Sequence, residues 1–417
     1  MNEVRKINED VKFEDPLTEV IRHGARDLIA KAVEAELAEC LLLFEEQALK
    51  GRSRVVRNGH HPERTIQTGI GQVEVKIPKV RSQFGEAVSF QSCLVPKYVR
   101  KTKSVEASLP WLYLKGISQG QMKEALESLL GVDAKGLSSS VISRLKQAWR
   151  DEYHAFRKRD LSKKQWVYLW ADGIYSGLRA EDTKLCALVI IGVDEYGKKE
   201  LLAIEDGVRE STQSWLEVLR QLEDQGMNCP KLAIGDGALG FWSALDQKYP
   251  ETRHQRCWVH KTKNVLNSLP KKIQPRAKTM LHDVYMAEGK EGAQKALNLF
   301  IKTYEDKYPK ATKKLEDQDS LLTFYDFPAK HWQSIRTTNP IESTFATIRH
   351  RTKKTKGCLS RDTMLAMMFK LGIAAQSKWR KLRGFDHLAK VILMTKYVDG
   401  IEVANQQLQK QNQQHAA

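Results

Sequence analysis

Nowhere in these 417 residues does an apolar run approach the eighteen or so residues that a membrane-spanning helix needs. A helical membrane protein is therefore not expected. Cysteine is sparse and scattered: Cys40, Cys93, Cys186, Cys229, Cys257 and Cys358, with no C-x-x-C pair. That pattern fits a reduced cytosol better than a disulfide framework. The opening stretch MNEVRKINEDVKFED is polar and charged, so no secretory leader is expected. Acids are in deficit, with 51 Asp and Glu against 68 Lys and Arg, a formal net charge of +17. Such an excess of base points to a polyanionic partner, nucleic acid before anionic membrane. The imbalance is uneven. Between 343 and 390, twelve Lys or Arg face two acids, Asp362 and Asp386, although a solvated face would also look like this.

What is present is a chain able to fold. Apolar residues make up 41%, which excludes a disordered protein, and the length suits roughly two or three domains. Residues 1–57 read as an N-terminal helical region. Its apolar stripe is Leu28, Ile29, Val33, Leu37, Cys40 and Leu41, a packing or dimer surface. Residues 58–100 read as a small β-hairpin region in which Val73, Val75 and Ile77 alternate with polar residues. Residues 101–160 predict two capped helices. Ser118 with Gln121 forms a capping box, Gly131 stops the first helix and Ser138 opens the second. Two short helices joined this way resemble a helix-turn-helix, whose second helix would present Ser139, Ser140, Ser143 and Arg144 to a DNA groove. A plain helical hairpin would have the same pattern.

From 161 to 264 the order is three strands, a helix, a strand, a helix and a strand, a mixed α/β pattern of the kind expected for a ribonuclease-H-like core. Residues 265–335 read as a helical insertion. Residues 336–400 read as a helix carrying Glu342 and then a basic C-terminal part, and 401–417 as a frayed, disordered Gln-rich tail.

Two acids are expected at strand ends, Asp172 in WADGIY and Asp236 in AIGDGAL. Asp before Gly is also a common turn former. The first and fourth strands of such a sheet are neighbours, so these acids would meet, and Glu342 arriving on a later helix would make a third. Three close carboxylates repel one another unless a hard cation neutralises them. Two Mg²⁺ or Mn²⁺ ions suit phosphodiester chemistry. Glu342 has a local reading as well. With Asn339 as N-cap and Pro340 at the first helical position, it would sit where a capping box closes. Its helix continues with Arg349, Lys353 and Lys356 on roughly one face, a stripe able to hold a DNA backbone. Asp194–Glu195 and Glu205–Asp206 are expected in turns between strands. Cys257 and His260 have a C-x-x-H spacing, but no second ligand pair accompanies them. Structural packing is the reading for both, with zinc or catalysis as the alternatives. Trp332 could stack on a base or simply be buried.

In this order DGIY, IGDGALGFW, CWVHK and TTNPIESTFATIRHRT closely resemble the Mutator-like family of bacterial insertion-sequence transposases. The resemblance extends to NGHHPERTIQTGIGQVEVKIPKVR and GISQGQMKEALESLLG, nearly the whole chain. It implies a DDE transposase with a ribonuclease-H-like core. The triad of catalytic and metal-binding acids then falls on Asp172, Asp236 and Glu342, with two divalent ions, Mg²⁺ or Mn²⁺. The implied partners are DNA, as terminal inverted repeats and as target, and a further copy of the chain as a homodimer or larger assembly. The implied location is the bacterial cytoplasm, at the nucleoid, with no membrane. Two other readings stay open: a silent transposase-derived DNA-binding regulator, and a ribonuclease-H-like nuclease.

Overall fold

The computed structural model describes residues 16–45, 55–114, 121–130, 139–177, 184–237, 239–342 and 360–403, with Ile117, Ala346 and Ile348. The chain divides into two compact units, Met1–Leu145 and Lys146–Ala417.

In the first unit, helix α1 (Pro16–Glu45) lays Ile29, Val33, Leu37, Cys40, Leu41 and Phe44 into a small core. Leu28 does not belong to that stripe and is exposed, because one residue further along a helix is a rotation of about 100°. Strands β1 (Val55–His60), β2 (Arg64–Thr68), β3 (Gly71–Val75) and β4 (Pro78–Ser82) complete that core. They form two antiparallel pairs, β2 with β3 inside β1 with β4, where the sequence suggested one hairpin. Helices α2 (Lys103–Leu114) and α3 (Met122–Leu130) bury Leu109, Met122 and Leu126 together. Helix α4 (Ser139–Phe156) follows, its residues from Lys146 on belonging to the second unit. Ser118, Gly131 and Ser138 lie outside the described residues.

The second unit is a mixed α/β structure around five strands: β5 (Trp166–Ser176), β6 (Leu185–Asp194), β7 (Lys199–Gly207), β8 (Leu232–Gly235) and β9 (Arg253–Arg256). Their spatial order is β7-β6-β5-β8-β9. The first three form an antiparallel meander, and β8 and β9 run parallel to β5. Parallel neighbours need crossovers, supplied by α5 (Thr212–Asp224) and α6 (Leu239–Lys248). Strand β6 is buried at every residue, as expected where both faces of a sheet are covered.

One face carries Leu169, Ala171, Leu188 and Leu202 against Trp215, Leu219, Phe241 and Trp242 of α5 and α6. On the other face Tyr168 and Trp170 meet the segment around 331–337. The Tyr168 hydroxyl lies 2.8 Å from His331 Nδ1, and Trp170 Nε1 donates to the Ser334 and Thr337 carbonyls at 3.2 Å. After β9 come α7 (Trp258–Leu266), α8 (Gln274–Met286), α9 (Lys290–Tyr304) and short helical turns up to Ile335. The Arg361–Gln376 helix then packs its Gly372 on Leu201 and Ile204 of the sheet. Among the described residues, no helix is long and apolar enough to cross a membrane.

Candidate active site

Strand register places the two aspartates. Ala171 pairs with Gly235 in the parallel β5–β8 ladder, and that is the last pair before β8 ends. The next residue on each chain is the acid, so Asp172 and Asp236 emerge side by side. Asp172 is not at a strand end, because β5 continues to Ser176 with β6 still alongside. It lies instead where β8 stops, beside an open notch in the sheet. Asp172 is buried, and its Oδ1 accepts the Gly173 N–H at 2.9 Å. The Asp236 backbone is pinned through its carbonyl, which accepts from Trp242 Nε1 at 2.9 Å and from the Arg256 guanidinium at 3.4 Å.

A buried joint brings the third acid to this end of the sheet. The Cys257 N–H donates to the Gly235 carbonyl at 2.7 Å, so Cys257 is tied to the residue before Asp236. Its sulfur accepts the Thr338 N–H at 3.2 Å and lies 3.2 Å from the Thr338 hydroxyl. Trp258 N–H donates to Arg336, and Trp170 holds Thr337 from the strand carrying Asp172. The segment 336–338 is thus fastened to both aspartate strands.

The Glu342 N–H donates to the Thr338 carbonyl at 3.0 Å, one helical turn on. That bond makes Thr338, not Asn339, the N-cap, with the helix running from 339. Pro340 and Glu342 move to the second and fourth helical positions, so Glu342 is not in capping-box register. The cap shifts because buried Thr338 is held by Cys257 while Asn339 is exposed.

Cys257 and His260 separate here. Cys257 is buried at the N-cap of α7, and burial raises its thiol pKa. His260, one turn later, is about a quarter exposed. Its Nδ1 lies 3.3 Å from the Thr338 hydroxyl, and its Nε2 lies 3.8 Å from Glu342 Oε1. A histidine touching the third acid was not foreseen beyond the C-x-x-H spacing.

A fourth carboxylate also went unforeseen. Glu210 stands in the turn between β7 and α5, half-buried against Gly173. Burial first, and the charge of Asp236 second, raise its carboxyl pKa, while a hydrogen bond with Tyr175 opposes them. Its only sequence signal is its place before the Ser211 N-cap, which accepts the Ser214 N–H at 3.2 Å. The other acid pairs are structural. Glu205 and Asp206 lie within β7, not in a turn, and pair with Arg157 and Arg361 at 2.8 Å each. Asp194 closes a turn by accepting the Tyr196 and Lys198 N–H groups. Trp332 packs edge-on against Phe324 and Tyr325 and donates to the Phe327 carbonyl, a core role.

Of the expected DNA contacts, Ser139 and Ser140 open α4, and Ser143 and Arg144 are exposed on it. Arg349, Lys353 and Lys356 lie outside the described residues. As donors, Asp172, Asp236, Glu342 and Glu210 offer hard carboxylate oxygens, the chemistry Mg²⁺ or Mn²⁺ takes. Among the described residues, no three His, Cys, Asp or Glu side chains are gathered as ligands of one ion.

Comparison with known proteins defines the class as transposases: residues 3–381 match the family described as Transposase, Mutator family. The chain belongs to that family, as the four motifs implied. It is 50% identical over 282 residues to the transposase for insertion sequence element IST2 of Acidithiobacillus ferrooxidans, covering 67% of this chain and 95% of that protein. It is 51% identical over 285 residues to the transposase for insertion sequence element IS6120 of Mycolicibacterium smegmatis, covering 68% and 88%. Among solved structures, the Drosophila P element transposase strand transfer complex aligns over 76% of this chain and 85% of that one. Identity is 10% and the TM-score 0.30, too slight a likeness to carry an argument.

Proposed function

We propose that this chain is a DDE transposase that binds the terminal inverted repeats of its own insertion sequence, cleaves DNA there and transfers the freed strand. The single observation that carries the reading is the Ala171–Gly235 register, which sets Asp172 beside Asp236 in a chain of the Mutator family. The sheet order β7-β6-β5-β8-β9, with its antiparallel meander and two parallel strands, supports a ribonuclease-H-like core. The formal charge of +17 suits a DNA partner.

Asp172, Asp236 and Glu342 are the residues that would hold two divalent ions, Mg²⁺ or Mn²⁺. When bound, such ions supply Lewis-acid activation of the attacking oxygen and neutralise charge at the scissile phosphate. The chain's part is positional. The β5–β8 ladder fixes the aspartates, and the Cys257–Thr338 joint fixes the turn from which Glu342 projects. His260 bears on the Glu342 carboxylate and restrains its direction. Water then attacks the phosphodiester at the element's end and frees a 3′-hydroxyl. That hydroxyl attacks a second phosphodiester directly, without a covalent enzyme intermediate. Two ends must meet, so a dimer or larger assembly on DNA is part of the proposal. Ser143 and Arg144 on α4, with Ser139 and Ser140, and the stripe Arg349, Lys353 and Lys356 are the proposed DNA contacts.

The test uses the element's own flanking ends in a strand-transfer assay. Asp172→Asn, Asp236→Asn and Glu342→Gln should each retain end binding and lose cleavage by orders of magnitude, and double variants should lose little more. Full cleavage by any one of them would remove that residue from the site. Retained cleavage by all three would overturn the reading.

A further inference from the structure

Two glycines mark where a turn from elsewhere in the sequence packs beside the aspartates, one against its Glu210 side chain and the other against its backbone. A Cβ placed on Gly173, next to Asp172, would lie 2.6 Å from Glu210 Oε1 and 2.7 Å from its Cδ. A Cβ placed on Gly240, in the first turn of the helix that follows Asp236, would collide with the Glu210 carbonyl and the Ser211–Thr212 backbone. The turn carrying Glu210 is therefore wedged between the two aspartate-bearing segments, and it fits only because both positions lack a side chain. Its own backbone is committed to this placement. Arg209 adopts φ 58°, a left-handed conformation that a non-glycine residue takes at some cost. Ser214 then ties the turn by accepting the Val208 N–H at 3.1 Å. The Tyr175 hydroxyl holds the Glu210 carboxylate from two residues beyond Gly173.

Adjacent residues on a strand face opposite sides. Asp172 therefore reaches the notch beside β8 from one face, and Glu210, lying over Gly173, reaches it from the other. A carboxylate serving only the fold would not need this seat, since the Ser211 cap and the Ser214 bond already close the turn.

We propose that Glu210 is a fourth carboxylate of the divalent-cation site, lying opposite Asp172 and beside Asp236. The inference rests on the reading of Asp172 and Asp236 as metal-holding residues, and its test separates the two. The probe is Mn²⁺ alone, titrated into the full chain without DNA, with free Mn²⁺ followed by electron paramagnetic resonance. Glu210→Gln keeps the side chain's shape and a partner for Tyr175 but removes one charge. It should weaken Mn²⁺ binding at least about tenfold, the size seen when a group supporting a metal site is lost. Gly173→Ala leaves Glu210 intact but displaces its carboxylate, and should weaken binding in the same direction. Asp236→Asn is the reference. If Asp236→Asn loses affinity while Glu210→Gln binds as the wild type does, Glu210 is structural and this inference falls alone. If Asp236→Asn also binds as the wild type does, or the wild type binds no Mn²⁺ saturably, the site reading fails and takes the inference with it. Glu210→Gln decides the question whether or not Gly173→Ala folds.

Discussion

Cys257→Ala tests the joint on which the third acid depends. The sulfur is buried, and three things rest near it: the Thr338 N–H at 3.2 Å, the Thr338 hydroxyl at 3.2 Å and, through that hydroxyl, His260 Nδ1 at 3.3 Å. Thr338 itself has no exposed surface. Removing the sulfur leaves a buried N–H without its acceptor, a cost of about 1–3 kcal/mol. Loss of the thiol's packing adds roughly 1 kcal/mol. A total of about 2–4 kcal/mol should lower the melting temperature by on the order of 5–10 °C for a unit of this size. Cys257→Ser returns an acceptor and a donor at the same place, so it should recover part of the loss. The measurement is thermal unfolding followed by circular dichroism, paired with the strand-transfer assay on folded protein at low temperature. The alanine variant should also lose activity beyond its unfolded fraction, because Thr338 sets the turn that carries Glu342. Equal melting temperatures for wild type, Ala and Ser would show that the sulfur holds nothing, and the account of how Glu342 is placed would fail.

Further outcomes are expected from other buried groups. His331 accepts the Tyr168 hydroxyl at Nδ1 and donates from Nε2 to the Gly384 carbonyl at 2.8 Å, an arrangement of the neutral ring. Burial pushes its pKa down to about 4. The unfolded chain takes up a proton near pH 6.5 and the folded one does not, so this stability is whole above about pH 6.5. It falls as pH drops towards 4, by on the order of 3 kcal/mol. Urea midpoints measured across that range should fall less steeply in His331→Asn, and an unchanged slope would remove His331 as the cause. Thiol labelling should follow burial. At about pH 8, iodoacetamide should modify exposed Cys93 in the native chain. Cys257 and Cys186, whose thiol is pushed up to about 11 by burial, should react only after unfolding; native labelling of Cys257 would contradict its buried place.

Much of this architecture is legible within short windows of sequence. LCALVIIGVD is apolar throughout and forms a strand covered on both faces, and STQSW begins with a serine that caps its helix. The order of strands and helices from 166 to 256 follows from such runs, as does the position of each aspartate just before a glycine. Even the family follows from four short motifs. Local rules fail where two distant segments compete for one group. Asn339 is a good cap by composition, yet Thr338 takes the position because Cys257, far back in the chain, holds its N–H. Glu205–Asp206 looks like a turn, but pairing with β6 extends the strand through it.

The candidate site itself is a product of tertiary structure. Nothing in WADGIY or AIGDGAL states that Ala171 will pair with Gly235, and a slip of one residue would turn Asp172 to the other face. Nothing near Glu210 announces that Gly173 and Gly240 will make room for it. Composition and periodicity determined which elements form and which acids were available, because helix and strand preferences act over a few neighbouring residues. Only packing decided which acids share a place, because register and close approach are set by side chains that meet across long stretches of chain.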